Sequence, residues 1–284
     1  FVEAGRAAEP GSAPDTAGDV GAAADAAVTA AQVDFADAFS FSGKPQFVAD
    51  AATTLLEGGI SDLRSLSGRI SAATQPISDF SASLDRLGSE LSTLIRAPAT
   101  LASRVTGVVV ALRGVASDVT GAINAYRTLW PFGNDEPAVT GTTASLIQQA
   151  DNQAAIAGLL QRAATAEAAR AAASASFASA DEATALRELF TAQFDALLAA
   201  ADTDDVFTAL TDLHAAVVRD LNTRAAKLPR TRQVTPSATQ PALVLAQRLY
   251  GDATRADDIV ARNKIRHPGF VPGGVALEVL SDAA

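Results

Sequence analysis

Apolar residues recur in alternating steps of three and four along much of the first half of the chain. A first run extends from Leu63 to Leu94 and a second from Leu101 to Leu129. This spacing places the apolar side chains on one face of an α-helix, and over several heptads it is typical of helix bundles and coiled coils. The first run contains Leu63, Leu66, Ile70, Ala73, Ile77, Phe80, Leu84, Leu87, Leu91 and Leu94, and the second contains Leu101, Val105, Val108, Leu112, Val115, Val119, Ala122, Tyr126 and Leu129.

The break between the two runs, at Pro98, predicts an antiparallel helical hairpin. The first run alone would form a helix roughly 50 Å long at ~1.5 Å per residue. Pro76 lies inside this run and should kink it, because proline lacks the backbone N–H of a regular helix. Two interpretations of the stripes remain open: the core of a bundle within one chain, or a coiled coil between chains.

The rest of the first 228 residues also reads as helical. Helices are predicted over residues 22–39, 144–172, 182–201 and 206–226, each with apolar residues at helical spacing. Asp181 and Asp204 stand where the last two of these helices begin, so each is expected to cap its helix. Residues 1–17 are rich in Gly, Pro, Ala and Asp, as in a linker.

The pattern changes after Pro229. Residues 230–234 predict a short strand, and residues 242–250 predict a helix that ends at Gly251. A second short helix is predicted over residues 256–263. Residues 275–280 alternate as in a strand, with Val275, Leu277 and Val279 on one face. The sequence therefore predicts a mainly α fold: a linker (1–17), an elongated helical bundle with coiled-coil hairpins (18–228) and a small βααβ unit (229–284).

Composition and charge narrow the possible functions. Hydrophobic residues make up 48% of the 284 residues and aromatic residues only 5%, which fits helices closely packed through alanine. The net charge of −10 disfavours wholesale nucleic-acid binding. Residues 224–284 nevertheless carry nine Lys and Arg against five Asp and Glu, whereas the remainder carries 13 against 27. A polyanion would therefore be attracted only by the C-terminal end.

The residue types needed for catalysis or metal binding are sparse. There is no cysteine, and His214 and His267 are far apart with no metal-ligand spacing. Phosphate-binding, dinucleotide-binding and nucleophile-elbow motifs are also missing from the sequence, so we expect neither a cofactor nor an enzyme. The apolar stretch Val105–Leu112 is too short to span a bilayer.

Two charged clusters are candidates for binding. Asp202, Asp204 and Asp205 form an acidic corner, either for helix capping or as a weak cation site. The second cluster is a possible contact for a polyanion or an acidic protein partner. Alternatively its members are solvated charges or pair with Asp257 and Asp258. No aromatic residue interleaves this second cluster, so base stacking is not expected. Its members are Arg262, Lys264, Arg266 and His267.

The C-terminal segment Pro241–Leu280, PALVLAQRLYGDATRADDIVARNKIRHPGFVPGGVALEVL, resembles the end of the DNA circularisation protein N family of Mu-like phages and prophages. The opening residues FVEAG, Phe1–Gly5, are similar to the last strand of that family's N-terminal domain. The resemblance implies the C-terminal portion of such a protein, which agrees with a first residue other than Met. The predicted βααβ order, with LYGD after its first helix, is also similar to a LysM module.

The family resemblance implies a structural component of a contractile phage tail or baseplate, in the hub region. Its partners would be other tail proteins (hub, tube and tape measure) and further copies of itself. It would be a virion protein assembled in the cytoplasm of the bacterial host. Two alternatives remain: a DNA-end-binding protein that circularises or protects the injected genome, and a peptidoglycan-binding module.

Overall fold

The computed structural model describes residues 15–69, 74–116 and 118–281, and the resemblance at Phe1–Gly5 lies outside them. These residues are mainly helical, as predicted, and no helix among them is both long and apolar enough to cross a membrane. The elements are α1 (Thr16–Ala38), α2 (Gln46–Arg69), α3 (Thr74–Leu94), α4 (Pro98–Leu112), α5 (Val119–Arg127), α6 (Ala144–Ser174), α7 (Ala180–Ala199), α8 (Asp204–Ala225), β1 (Thr231–Val234), α9 (Ala242–Tyr250), α10 (Ala256–Arg262) and β2 (Leu277–Leu280).

The described residues form two compact units. The helical unit comprises residues 15–175 and Phe190–Asp220, and the C-terminal unit comprises Ser176–Leu189 and residues 221–281. The start of α7 and the end of α8 therefore belong to the C-terminal unit. The predicted domain boundary at residues 228 and 229 stays a prediction.

The helical unit is built around α6, against which α1, α2, α4 and α5 all pack. The second half of α6 is buried around its whole circumference, because nearly every position there is a small residue. Small side chains let neighbouring helix axes approach to the short end of the usual ~8–10 Å range. The buried alanines of this half are Ala163, Ala164, Ala166, Ala168, Ala169, Ala171 and Ala172.

The first apolar run forms two helices, so the predicted single helix is wrong. α2 ends at Arg69 and α3 begins at Thr74, while residues 70–73 are not among those described. Pro76 lies in the first turn of α3, where its missing N–H breaks no helical hydrogen bond. The two helices pack antiparallel, with Arg64 Nη2 2.6 Å from Asp85 Oδ1.

The apolar stripes are buried within the chain, which favours the bundle-core interpretation over a coiled coil between chains. α3 packs against both α2 and α4, and the second run is divided because α4 ends at Leu112 and α5 begins at Val119. Ile77 and Val119 are only partly buried. The buried members of the stripes include Leu63, Leu66, Phe80, Leu84, Leu87, Leu91, Leu94, Leu101, Val105, Val108, Leu112, Val115 and Tyr126.

Three helix starts differ from the predictions, and one is that of α8, whose first residue is Asp204, the residue predicted to cap it. α1 begins at Thr16, capped by Asp15, whose carboxylate accepts a hydrogen bond from the Gly18 N–H at 2.9 Å. α7 begins at Ala180 and its cap is Ser179, whose hydroxyl accepts from the Glu182 N–H at 3.3 Å. The predicted cap, Asp181, instead accepts from the Thr231 N–H at 2.6 Å. Its partner lies 50 residues away along the chain, so local sequence could not indicate it.

The C-terminal unit contains the predicted order of strand, two helices and strand. β1 and β2 pair antiparallel, with Thr231 opposite Leu280 and Val234 opposite Leu277. The unit has its own core, which contains Ala242, Leu245, Ala246, Ala256, Ile259, Val271, Leu277 and Val279. Val275 was predicted to share the inner face of the last strand, but it precedes β2 and is exposed.

Enlarging a side chain at the buried part of α6 should be far more costly than enlarging one at its surface. Ala168 is fully buried, whereas Ala154 is exposed on the same helix. We expect Ala168→Leu to lower the free energy of unfolding by about 1–3 kcal/mol, because a close-packed site cannot accept three carbons without strain. Ala154→Leu is the matched control and should change it by less than about 0.5 kcal/mol. Urea unfolding followed by circular dichroism measures both, and equal effects would contradict the tight packing of α6.

Candidate partner-binding surface

The predicted basic cluster lies at the end of α10 and in the turn that follows it. The side-chain amide of Asn263 holds this turn against β2 with two hydrogen bonds and against α10 with a third. Its Nδ2 donates to the Ile259 carbonyl at 2.9 Å and to the Glu278 carbonyl at 2.7 Å, while its Oδ1 accepts from the Glu278 N–H at 2.8 Å. The amide pairs with β2 much as a neighbouring strand would. The turn that carries the basic residues is thereby fixed to the sheet.

The side chain of Arg262 forms ion pairs within the C-terminal unit. Its Nη1 lies 3.0 Å from Glu278 Oε1 and 3.8 Å from Glu182 Oε1, and its side chain is only 16% exposed. Its partners are therefore not Asp257 and Asp258, as one interpretation of the sequence proposed. Asp258 lies 3.9 Å from Arg255 instead. Arg262 therefore serves the internal packing of the unit.

Lys264, Arg266 and His267 are all exposed. None of the three forms an ion pair within the described part of the chain. The Lys264 backbone has a φ of 50°, a left-handed conformation that turns the chain sharply after α10. Ile265, between the exposed basic residues, packs against the core of the unit. The burial of Ile265 leaves the neighbouring basic side chains on the outside.

Large apolar side chains are exposed beside these basic residues. Phe270 is 73% exposed, and Leu243 and Val244, in the first turn of α9, are 59% and 46% exposed. The two segments are neighbours, because the Pro268 carbonyl accepts from the Ala242 N–H at 2.7 Å and the His267 carbonyl accepts from the Phe270 N–H at 2.9 Å. We call the set of Lys264, Arg266, His267, Phe270, Leu243 and Val244 the basic–apolar surface.

Sequence reasoning found the basic part of this surface and missed the apolar part. The apolar stretch Ala242–Ala246 on α9 contained a signal, since a helix with 3.6 residues per turn cannot bury five successive side chains on one face. Ala242, Leu245 and Ala246 are buried, which leaves Leu243 and Val244 outside. No aromatic residue interleaves the basic cluster, but the exposed Phe270 follows it three residues after His267.

The acidic corner and the two histidines show no arrangement for metal binding. Asp202, Asp204 and Asp205 are exposed, and no group of His, Cys, Asp or Glu among the described residues could hold a metal ion. Asp204 is the first residue of α8. His214 stacks on Phe194 with ring centroids 4.9 Å apart, which is a packing role.

A groove of about 490 Å³ lies in the helical unit, between α2, the loop that precedes α6 and the start of α6. Its walls are mostly small and apolar side chains, with Gln149 and Gln153 on α6. Glu136 is the one ionisable residue in its lining.

An ion cluster around the buried Glu167 joins α6, α1 and Arg113, the residue that follows α4. The Glu167 carboxylate is 2% exposed and lies 3.2 Å from Arg170 Nε and 3.6 Å from Arg113 Nη1. Arg170 also contacts Asp25 on α1, at 2.6 Å. Burial raises the pKa of Glu167, because removing the carboxylate from water outweighs the attraction of the two guanidinium groups. Burial likewise raises the pKa of Tyr126, whose hydroxyl donates to the Val109 carbonyl at 3.1 Å.

No known protein family matches this chain by sequence, and no characterised protein matches it either. The resemblance at Pro241–Leu280 therefore stays a prediction. The same holds for the similarity to a LysM module and for peptidoglycan binding.

Replacing the buried carboxylate by its neutral isostere should change how stability depends on pH. A raised pKa means that the folded state binds the proton of Glu167 more tightly than the unfolded state does, so its contribution to stability is full below the ordinary value of 4.5 and is lost as pH rises through the folded pKa. Glu167→Gln mimics the protonated form at every pH. We therefore expect its free energy of unfolding, relative to wild type, to increase from pH 4 towards neutral pH.

Denaturant unfolding over a series of pH values measures this difference. The matched control is Glu57→Gln, which changes an exposed carboxylate on α2 and should stay within about 0.5 kcal/mol of wild type throughout. A relative stability of Glu167→Gln that falls as pH rises would show that the ion pairs outweigh the cost of burial.

Proposed function

We propose that the chain is a non-enzymatic structural component of a contractile phage tail or baseplate, in the hub region, related to the DNA circularisation protein N family. Two observations support the proposal. The segment that carries the resemblance, Pro241–Leu280, folds as part of one unit with its own buried core. That unit also exposes large apolar side chains together with basic ones, a combination suited to binding another protein.

The exposed apolar residues carry most of this argument. Phe270 and Leu243 are both mostly exposed. A small unit rarely exposes large apolar side chains together unless they bind a partner. Burial of such side chains against a partner is favourable by roughly 25 cal/mol per Å² of apolar surface. The proposed partners are other tail or baseplate proteins, since the helical stripes are already used inside the chain.

If the proposal holds, the chain is part of purified particles. We expect mass spectrometry of tail particles, purified from the phage or induced prophage that encodes the chain, to detect it in constant ratio to the tube protein. The ratio should survive a salt wash, unlike that of an abundant host protein used as the contamination control. A chain that washes away with the host protein, or is missing from intact particles, would refute the structural role.

Binding to DNA ends is a second candidate, favoured by the position of Phe270 beside Lys264, Arg266 and His267. Basic side chains bind phosphates, and an exposed aromatic ring can stack on an unpaired base. A gel-shift titration at low salt with blunt and single-stranded-tailed DNA tests it. DNA-end binding predicts retardation that favours the tailed DNA and weakens at least about tenfold in the Lys264→Glu/Arg266→Glu variant. The absence of retardation at low salt would exclude this candidate for the chain.

A further inference from the structure

A second surface of the chain is also apolar and charged, with the opposite sign. In the helical unit, Val33 on α1 is 54% exposed and Phe207 on α8 is 50% exposed. Their segments are neighbours, because the Thr203 hydroxyl donates to Asp34 Oδ1 at 3.1 Å. Exposed carboxylates adjoin both residues: Asp37 lies one turn after Val33 and Asp204 lies three residues before Phe207. We call Val33, Asp37, Asp204 and Phe207 the acidic–apolar surface.

We propose that the chain associates head to tail with copies of itself, the basic–apolar surface of one copy docking on the acidic–apolar surface of the next. The charges of the two surfaces are complementary, with Lys264, Arg266 and His267 facing Asp37 and Asp204. Each surface also offers two or more large apolar side chains for the centre of the contact. This inference names a further copy of the chain as the partner of the same basic–apolar surface, and it does not depend on a role in a phage tail.

A protein surface suits the basic–apolar surface better than a nucleic acid does. Leu243 and Val244 gain nothing from phosphate groups, yet both are exposed beside the basic turn. The whole chain also carries a net charge of −10, which repels a polyanion at long range. The same imbalance favours self-association, because residues 224–284 are basic while the remaining residues are strongly acidic.

The arrangement of apolar and charged contacts in such an interface determines how its affinity depends on salt. Apolar side chains at the centre provide the affinity, and the charged rim provides orientation and the rate of encounter. Rim charges are screened by salt, with a Debye length of about 10 Å at 0.1 M and about 3 Å at 1 M. Association should therefore be strongest at low ionic strength and weaken as salt is added.

Each copy uses two different surfaces, so the contact is heterologous. A heterologous contact between identical chains continues from copy to copy, and it ends only when the rotation closes a ring. A symmetric dimer, in which one surface meets itself, is a different arrangement with a different response to mutation. This difference makes the proposal testable by charge reversal.

The test uses two double variants of the full chain. Lys264→Glu/Arg266→Glu reverses the basic–apolar surface, and Asp37→Lys/Asp204→Lys reverses the acidic–apolar surface. Arg86→Glu/Arg104→Glu is the control for Lys264→Glu/Arg266→Glu, since it makes that same change of net charge at exposed positions of α3 and α4 outside both surfaces. Sedimentation velocity over a range of concentrations, at low and high salt, gives the association constant. Thermal unfolding checks that each variant is folded.

We expect wild type and the control to associate alike, within about twofold, and each reversed variant to associate at least about tenfold more weakly. An equimolar mixture of the two reversed variants should regain association, because the native surface of each one remains complementary to the native surface of the other. Phe270→Ser should also weaken association at least about tenfold, through loss of apolar contact rather than charge.

Three results would overturn the proposal. A wild-type chain that stays monomeric at low salt has no such interface. Reversed variants that associate alone as wild type does, or whose mixture associates no better than each alone, would show that the two surfaces do not meet. A monomeric chain that instead binds a single-stranded oligonucleotide, and loses it in Lys264→Glu/Arg266→Glu, would assign the basic–apolar surface to nucleic acid.

Discussion

The helical unit depends on the close approach of its helices to α6. Alanines cover nearly all sides of the second half of that helix, so α1, α4 and α5 can contact it through short side chains. α1 also carries buried alanines, at Ala24, Ala27 and Ala31. The larger residues Phe35 and Phe39 lie at the end of α1, where their rings stack with centroids 4.9 Å apart.

Smooth alanine surfaces bury area but do not by themselves fix how far one helix slides along another. Polar residues on α6 provide that information, because each one reaches its partner on another segment at one register. Asn152 bonds both the N–H and the carbonyl of Ser40, at 2.9 and 2.8 Å. Arg162 is paired with Asp34 in a nearly buried contact. Together with Glu167, these groups lie along the length of α6 and hold its partners in place.

The sequence allowed the helices to be predicted well and their partners poorly. Heptad spacing located the apolar faces of α3 and α4, and proline and glycine marked the ends of α9 and the βααβ order. The separation of α2 from α3 was indicated only by the kink expected at Pro76, since Ile70 and Ala73 continue the apolar pattern through it. The pairings of Asp181 with Thr231 and of Arg262 with Glu278 join residues distant in sequence. Of the candidate surface, charge revealed Lys264 and Arg266, while the exposure of Phe270 depended on the fold of the turn around it.

The alanine-rich centre has a thermodynamic consequence for folding. Alanine has no side-chain torsion to freeze, whereas a buried leucine or isoleucine loses about 0.5–1 kcal/mol of rotamer entropy. Ordering α6 and the facing half of α1 therefore costs mainly backbone entropy, and alanine already lowers that cost through its preference for the helix. An alanine-rich core therefore buries less hydrophobic area per residue than a core of larger side chains, and it also loses less side-chain entropy on folding. Its centre should consequently order with little loss of side-chain conformational freedom.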